Sequence, residues 1–237
     1  MAEWQETLPV WAGAWAAVRG QASERYGSGV RTAPAGAGTP PEYILVWPGT
    51  DADRAAEAVR GHPGAVLTLV TAAPLTADSL TAAPVTAARM TGDPATGDRG
   101  TALDFAAAHG LAFSGQAVLL TARTDDLNTA LDLPENAELA RAPLELYDLV
   151  EISVFDHPVA TGRIRVDGGL AVVGGLEAQA SAAGMNLGAA VLAALADEAF
   201  IHGADTLYSV VGPEQAAGYA AAGWTVAAHL ASLTGAG

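Results

Sequence analysis

The chain has 237 residues, 51% of them hydrophobic, a formal net charge of −15 and no cysteine. All its basic residues are arginine, and so acidic a surface repels phosphates, which excludes nucleic acid and anionic lipid partners; the missing cysteines exclude disulfides, thiolate metal sites and cysteine nucleophiles. The first residues carry no basic segment before an apolar run, and no apolar run nears the roughly 20 residues that span a bilayer, so a soluble cytoplasmic protein is expected.

Trp4, Leu8, Trp11, Trp15 and Val18 recur at helical spacing and predict a helix that packs an aromatic stripe into a core. Pro34 to Pro41 reads as a Gly/Pro-rich loop. Glu42 to Trp47 and Ala65 to Thr71 read as strands, with an amphipathic helix from Asp51 to Arg60 between them. This is a β–α–β unit whose strands are expected to be parallel neighbours. Weak periodicity over the next Ala/Thr/Pro-rich stretch predicts a short helix near Ala77 to Ala83, a strand near Val85 to Met90 and a loop from Thr91 to Gly100. A helix from Thr101 to His109 and a strand from Gln116 to Ala122 follow. The polar stretch Thr124 to Asn136 divides the chain into residues 1–132 and 133–237.

Beyond it, Leu149 to Phe155, Val159 to Val166 and Leu170 to Leu176 are expected to form an antiparallel meander, with turns at Asp156-His157-Pro158 and Asp167-Gly168-Gly169. Leu187, Val191, Leu195 and Ala199 predict a long helix to His202, stopped by Gly203. Thr206 to Val211 is a strand, Pro213 to Ala222 a helix with proline in its first turn, and Trp224 to Leu233 a last strand or pair of strands. The fold class is α/β of the α+β kind: a mixed, mostly antiparallel sheet flanked by helices. The five histidines show no metal-ligand spacing, and His62, His109 and His202 fall beside glycines near helix ends. No metal site is expected.

The segment Ala183-Gly184-Met185-Asn186-Leu187-Gly188, followed by Ala189-Ala190-Val191-Leu192, and the downstream Tyr219-Ala220-Ala221-Ala222-Gly223-Trp224 resemble motifs of the GNAT superfamily of N-acetyltransferases. The resemblance covers about 100 residues, from near Glu138 to Leu233, and rests on the order of the elements together with these motifs. It departs from the family at Ala183, where the family has Gln or Arg, and at Asn186, where it has glycine. An alternative register beginning at Gln179 restores the glutamine but misaligns the helix.

The resemblance implies that acetyl-CoA is the co-substrate and that Leu176, Ala178, Ala183, Gly184, Met185, Asn186, Leu187, Gly188 and Ala189 hold it. Unpaired N–H groups at the helix start would bind the pyrophosphate. It also implies Glu177 as general base and Tyr219 as general acid. Glu177 can equally be a rim carboxylate, Tyr219 can simply pack, and Asn186 suits a helix N-cap. The acceptor would be a primary amine on a small molecule or peptide, and a homodimer is compatible. No basic residue follows Arg165, so the phosphate loop would need positive charge from Arg19, Arg31, Arg54, Arg60 or Arg89. Residues 1–132 are read as a degenerate GNAT-like half. Between Ala142 and Leu149 there is no room for the first two helices of the family. Either those helices are absent or the amino-terminal part covers the sheet face they would occupy. The competing readings are an inactive GNAT-shaped binding or dimerisation module and an unrelated α/β domain.

Overall fold

A computed structural model describes residues 3–34, 39–72, 102–127, 133–179, 185 and 187–235. The expected elements between Ala77 and Gly100 lie outside the described residues. In chain order the elements are α1 (Glu3–Glu6), α2 (Leu8–Val18), β1 (Gln21–Tyr26), β2 (Gly29–Pro34), β3 (Glu42–Val46), α3 (Ala52–Gly61) and β4 (Val66–Thr71). Next come α4 (Ala102–Ala108), β5 (Leu111–Arg123), β6 (Ala137–Pro143), β7 (Asp148–Val154), β8 (His157–Asp167) and β9 (Leu170–Ala178). The chain ends with α5 (Leu187–Ile201), β10 (Thr206–Val211), α6 (Ala216–Ala221) and β11 (Thr225–Gly235).

The eleven strands of the described residues join one sheet, in the order β1-β2-β3-β4-β11-β5-β10-β9-β8-β7-β6. The order is nearly symmetric about its centre. β1, β2 and β3 are antiparallel, and α3 then crosses over to β4, which is parallel to β3. Likewise β7, β8 and β9 are antiparallel, and α5 crosses over to β10, which is parallel to β9. The last strands of the two halves are exchanged. β11 pairs with β4, β5 pairs with β10, and β5 and β11 pair with each other.

Helix α2 lies on one face and touches β1, β2 and β3 as well as β8, β9 and β10. In a flat sheet β1 and β8 would stand about 38 Å apart at the usual strand spacing. One helix is only about 10–12 Å across with its side chains, so the sheet curls around α2. Trp4, Leu8, Trp11 and Val18 fill the concave core with Val30, Ile44, Val70, Leu119, Val172, Tyr208 and Leu230, and the indole of Trp11 donates to Trp4 O at 2.9 Å. The aromatic stripe is thus a core shared by strands from both sides of the sheet, and α2 covers that face. On the other face α5 packs over β7, β8 and β9, α6 meets β11, α3 packs over β4 and β11, and α4 over β5.

Two expectations are corrected. The turn before β8 is Phe155-Asp156, both at positive φ (51° and 62°), and His157 and Pro158 already belong to the strand. Two residues of that backbone suit the twist of a tight hairpin. Pro213 precedes α6 instead of opening it. Gln215 N donates to Gly212 O and Gly212 N to the Gln215 side chain, so residues 212–215 form a turn. The hairpin β1–β2 and the edge strand β6 lie in segments for which no element was expected.

Candidate functional site

The parallel pair β9–β10 does not stay closed. It is in register from Leu170↔Thr206 to Val173↔Ser209 and ends there, although β9 continues to Ala178 and β10 to Val211. The divergence begins at a bulge in β9. The β8–β9 register shifts between Thr161↔Glu177 and Arg163↔Gly174, and Gly175 sits at φ +57°. Such a bulge bends the strand and turns its unpaired backbone groups outward. Residues 174–178 therefore keep β8 on one side and face an opening on the other.

The equivalent pair in the first half is closed. β3 and β4 remain in register to Val46↔Val70, and Trp47 N adds a further bond to Val70 O at 2.8 Å. The start of α3 is filled by the chain itself: the Asp51 carboxylate accepts from Ser28 N (2.9 Å) and Ser28 Oγ (3.1 Å), bonds that hold its pKa below the usual carboxylate value. Only the second half opens.

Around that opening the expected residues fall on two faces. Leu176 turns to the α5 side, where a Cβ on Gly162 would meet it together with Val191 and Leu195. Strand alternation then puts Glu177, which is exposed, on the α2 face. Tyr219 lies on the α5 face. Its hydroxyl interacts with Ser209, the last residue of β10 paired with β9, and its ring meets Trp224 edge-on at 5.6 Å. Burial raises the Tyr219 pKa and outweighs the opposing hydrogen bond from Ser209. Trp224 is 2% exposed and its indole N–H has no partner among the described residues.

At the start of α5, Leu187 is buried in the core, so only its backbone can face a ligand. Gly188 and Ala189 are exposed, no acidic residue stands in the first turn, and a Cβ on Gly188 would meet no heavy atom of the described residues within 4 Å. Met185 and Ala178 are exposed, while Ala183, Gly184 and Asn186 lie outside the described residues. In the alternative register the glutamine is engaged on β8: Gln179 Nε2 donates to Pro158 O at 2.6 Å.

The amino-terminal arginines hold partners of their own. Arg19 pairs with Glu42 at 2.8 Å and stacks on Trp15, Arg31 pairs with Glu24, and Arg54 pairs with Asp51 and stacks on Tyr26. Arg60 ends α3, and Arg89 lies outside the described residues. His62 and His109 each place Nδ1 2.9 Å from the carbonyl four residues back, and His202 meets Glu198. Asp148, Glu198 and His202 bring ligand-type atoms within 4.8 Å of one another, and Arg141 bridges Asp197 and Glu198 beside them.

No family model matches the sequence, and no curated protein does. Solved structures do. A GCN5-related N-acetyltransferase from Kribbella flavida superimposes with a TM-score of 0.60 at 17% identity, over 97% of this chain and 96% of its own. The chain has the GNAT fold. A tandem GNAT protein from the clavulanic acid biosynthesis pathway matches with a TM-score of 0.55 at 16% identity, over 90% of this chain and 82% of its own. A GCN5-related N-acetyltransferase-like protein from Streptococcus suis gives 0.54 at 11% identity, over 97% and 93%. Matches over nearly the whole chain extend the GNAT likeness beyond the 100 residues whose motifs carried it. Sequence reasoning gave no site role to Ser209, Trp224 or Arg163 at the opening. Ser209 had one signal, a hydroxyl at an inward position of the apolar strand TLYSVV.

Proposed function

We propose that the chain is an acyl-CoA-dependent N-acyltransferase that moves the acetyl group of acetyl-CoA to a primary amine. The observation that carries this reading is the opening of β9–β10 beyond Val173 and Ser209, beside the exposed start of α5. A pantetheine arm needs backbone donors and acceptors at such an edge, and residues 174–178 offer them. Its pyrophosphate needs free N–H groups with space in front of them, which Gly188 and Ala189 offer. Met185, the backbone of Leu187 and residues Ala183, Gly184 and Asn186 complete the proposed binding segment, with Leu176 and Ala178 along the arm.

The two faces divide the chemistry. The amine enters from the α2 face, where Glu177 takes its proton as the nitrogen attacks the thioester carbonyl carbon. The C–S bond breaks, and Tyr219, on the α5 face, gives its proton to the departing sulfur. Burial keeps Tyr219 protonated at neutral pH, as a general acid requires. Glu177 and Tyr219 thus act from opposite sides of the sheet. We further propose that the halves meet near residue 132 and that the first is a GNAT-like half without a cofactor site of its own.

The test is thiol release from acetyl-CoA with a panel of primary amines. Amine-dependent release that falls about 100-fold or more in Glu177→Gln, with acetyl-CoA binding unchanged, supports the reading. Release unaffected by that substitution removes Glu177 from the mechanism. One observation favours a second reading, a GNAT-shaped binding module: Arg19, Arg31 and Arg54 are spent on carboxylates of the first half. That reading predicts no acetyl-CoA binding at millimolar concentration.

A further inference from the structure

We propose that Arg163 is a positioning residue that fixes the mouth of the β9–β10 opening by tying it to the amino-terminal helix α2. The proposal rests on the reading of that opening as the acyl-CoA cleft. Once β9 leaves β10, residues 174–178 keep, among the described residues, hydrogen-bonded strand contact only with β8. A strand edge held on one side needs another contact to fix its path, and the α2 face supplies it.

Arg163 is the β8 partner of Gly174, where the divergence starts. Its Nη1 donates to the carbonyl of Val18, the last residue of α2, at 3.1 Å. The closing turn of α2 satisfies Ala16 O and Ala17 O through Arg19 N and Gly20 N. Arg163 provides the partner for the next carbonyl and puts a positive charge at the negative end of the helix. The guanidinium also lies 4.9 Å from the centre of the Tyr147 ring.

The bulge is shaped around this contact. A Cβ on Gly175 would come within 3.0 Å of Arg163 Cδ and 3.2 Å of Nε, at a φ that side chains rarely adopt. A Cβ on Gly174 would come within 3.0 Å of Val18 Cγ2. The two glycines let the arginine and the helix end close onto the bulge. Arg163 therefore links the first half of the chain to the cleft edge of the second, without itself reaching the reacting atoms.

The test compares Arg163→Met, which keeps the methylene packing but loses charge and donor, with Arg163→Lys, which keeps both. Amide hydrogen exchange and acetyl-CoA calorimetry are measured on the full chain. In Arg163→Met, residues 174–179 exchange faster while β10 keeps its protection, and acetyl-CoA binds roughly tenfold more weakly. Arg163→Lys restores both to within about threefold. Unchanged exchange at 174–179 in Arg163→Met overturns the proposal, as does exchange that rises equally in β10, which marks a merely structural role. A lysine variant as impaired as the methionine one also overturns it. If the parent protein binds no acetyl-CoA, the acyltransferase reading fails, and the exchange comparison still decides whether Arg163 ties helix to strand.

Discussion

Replacing Trp11 by alanine removes the side chain that both halves share. Trp11 is fully buried, its ring centroid lies 6.4 Å from that of Tyr208, and its indole donates to Trp4 O. Truncating a buried tryptophan costs about 3–5 kcal/mol through lost transfer energy and the cavity left behind. The orphaned Trp4 carbonyl adds about 1 kcal/mol more where water cannot reach it. Against a typical total of about 5–15 kcal/mol this is a large fraction. For a chain of this length each kcal/mol moves the midpoint by about 2–4 °C, so the combined loss predicts a fall of roughly 8–24 °C. The assay is thermal and urea unfolding followed by circular dichroism. The transition stays single, because the sheet curls around α2 and exchanges β5 and β11 between its halves. A loss below about 1 kcal/mol, or a second transition that keeps the parent midpoint, refutes the shared-core account.

Two further outcomes concern the site and a third concerns His229 on β11. Gly188→Leu places a side chain in open space on a helix, so stability holds or rises by up to about 1 kcal/mol while acetyl-CoA binding weakens; unchanged binding in calorimetry removes Gly188 from the site. Tyr219→Phe lowers kcat by roughly 100-fold at unchanged acetyl-CoA affinity, and the pH–rate profile loses an alkaline limb that the raised tyrosine pKa places above its ordinary value; an unaltered kcat assigns Tyr219 to packing. Burial lowers the His229 pKa below 6.5, so on acidification the unfolded chain takes up its proton first and stability falls as pH drops from 6.5 toward the folded value. His229→Gln flattens that slope in melts at pH 5 to 7 buffers (about the histidine range), and an unchanged slope assigns it to other groups.

What the sequence made legible was whatever carried a period. The aromatic stripe of α2, the β3–α3–β4 unit, the meander of β7–β9, and α5 with β10 all stand out because one face of each is buried and apolar. The β1 segment QASERY is intermediate only at its two ends and exposed between them, so no alternation marks it as a strand. β6 is an edge strand with no fully buried residue. The exchange of β5 and β11 has no local signal, since it is a choice of partner among strands of similar character. At the site, Glu177 and Tyr219 were found through motif order, but their placement on opposite faces depends on the bulge at Gly174 and Gly175. No motif singles out Arg163. Its partner, Val18 O, is 145 residues away in sequence, beyond the reach of any spacing argument.

Calorimetric titration of the full chain with acetyl-CoA, at low and moderate salt, tests the central claim most directly. The account predicts micromolar binding of one equivalent per chain, because β9–β10 opens and β3–β4 does not. Two equivalents per chain would contradict the closed first half. No binding at millimolar acetyl-CoA would contradict the acyltransferase reading itself.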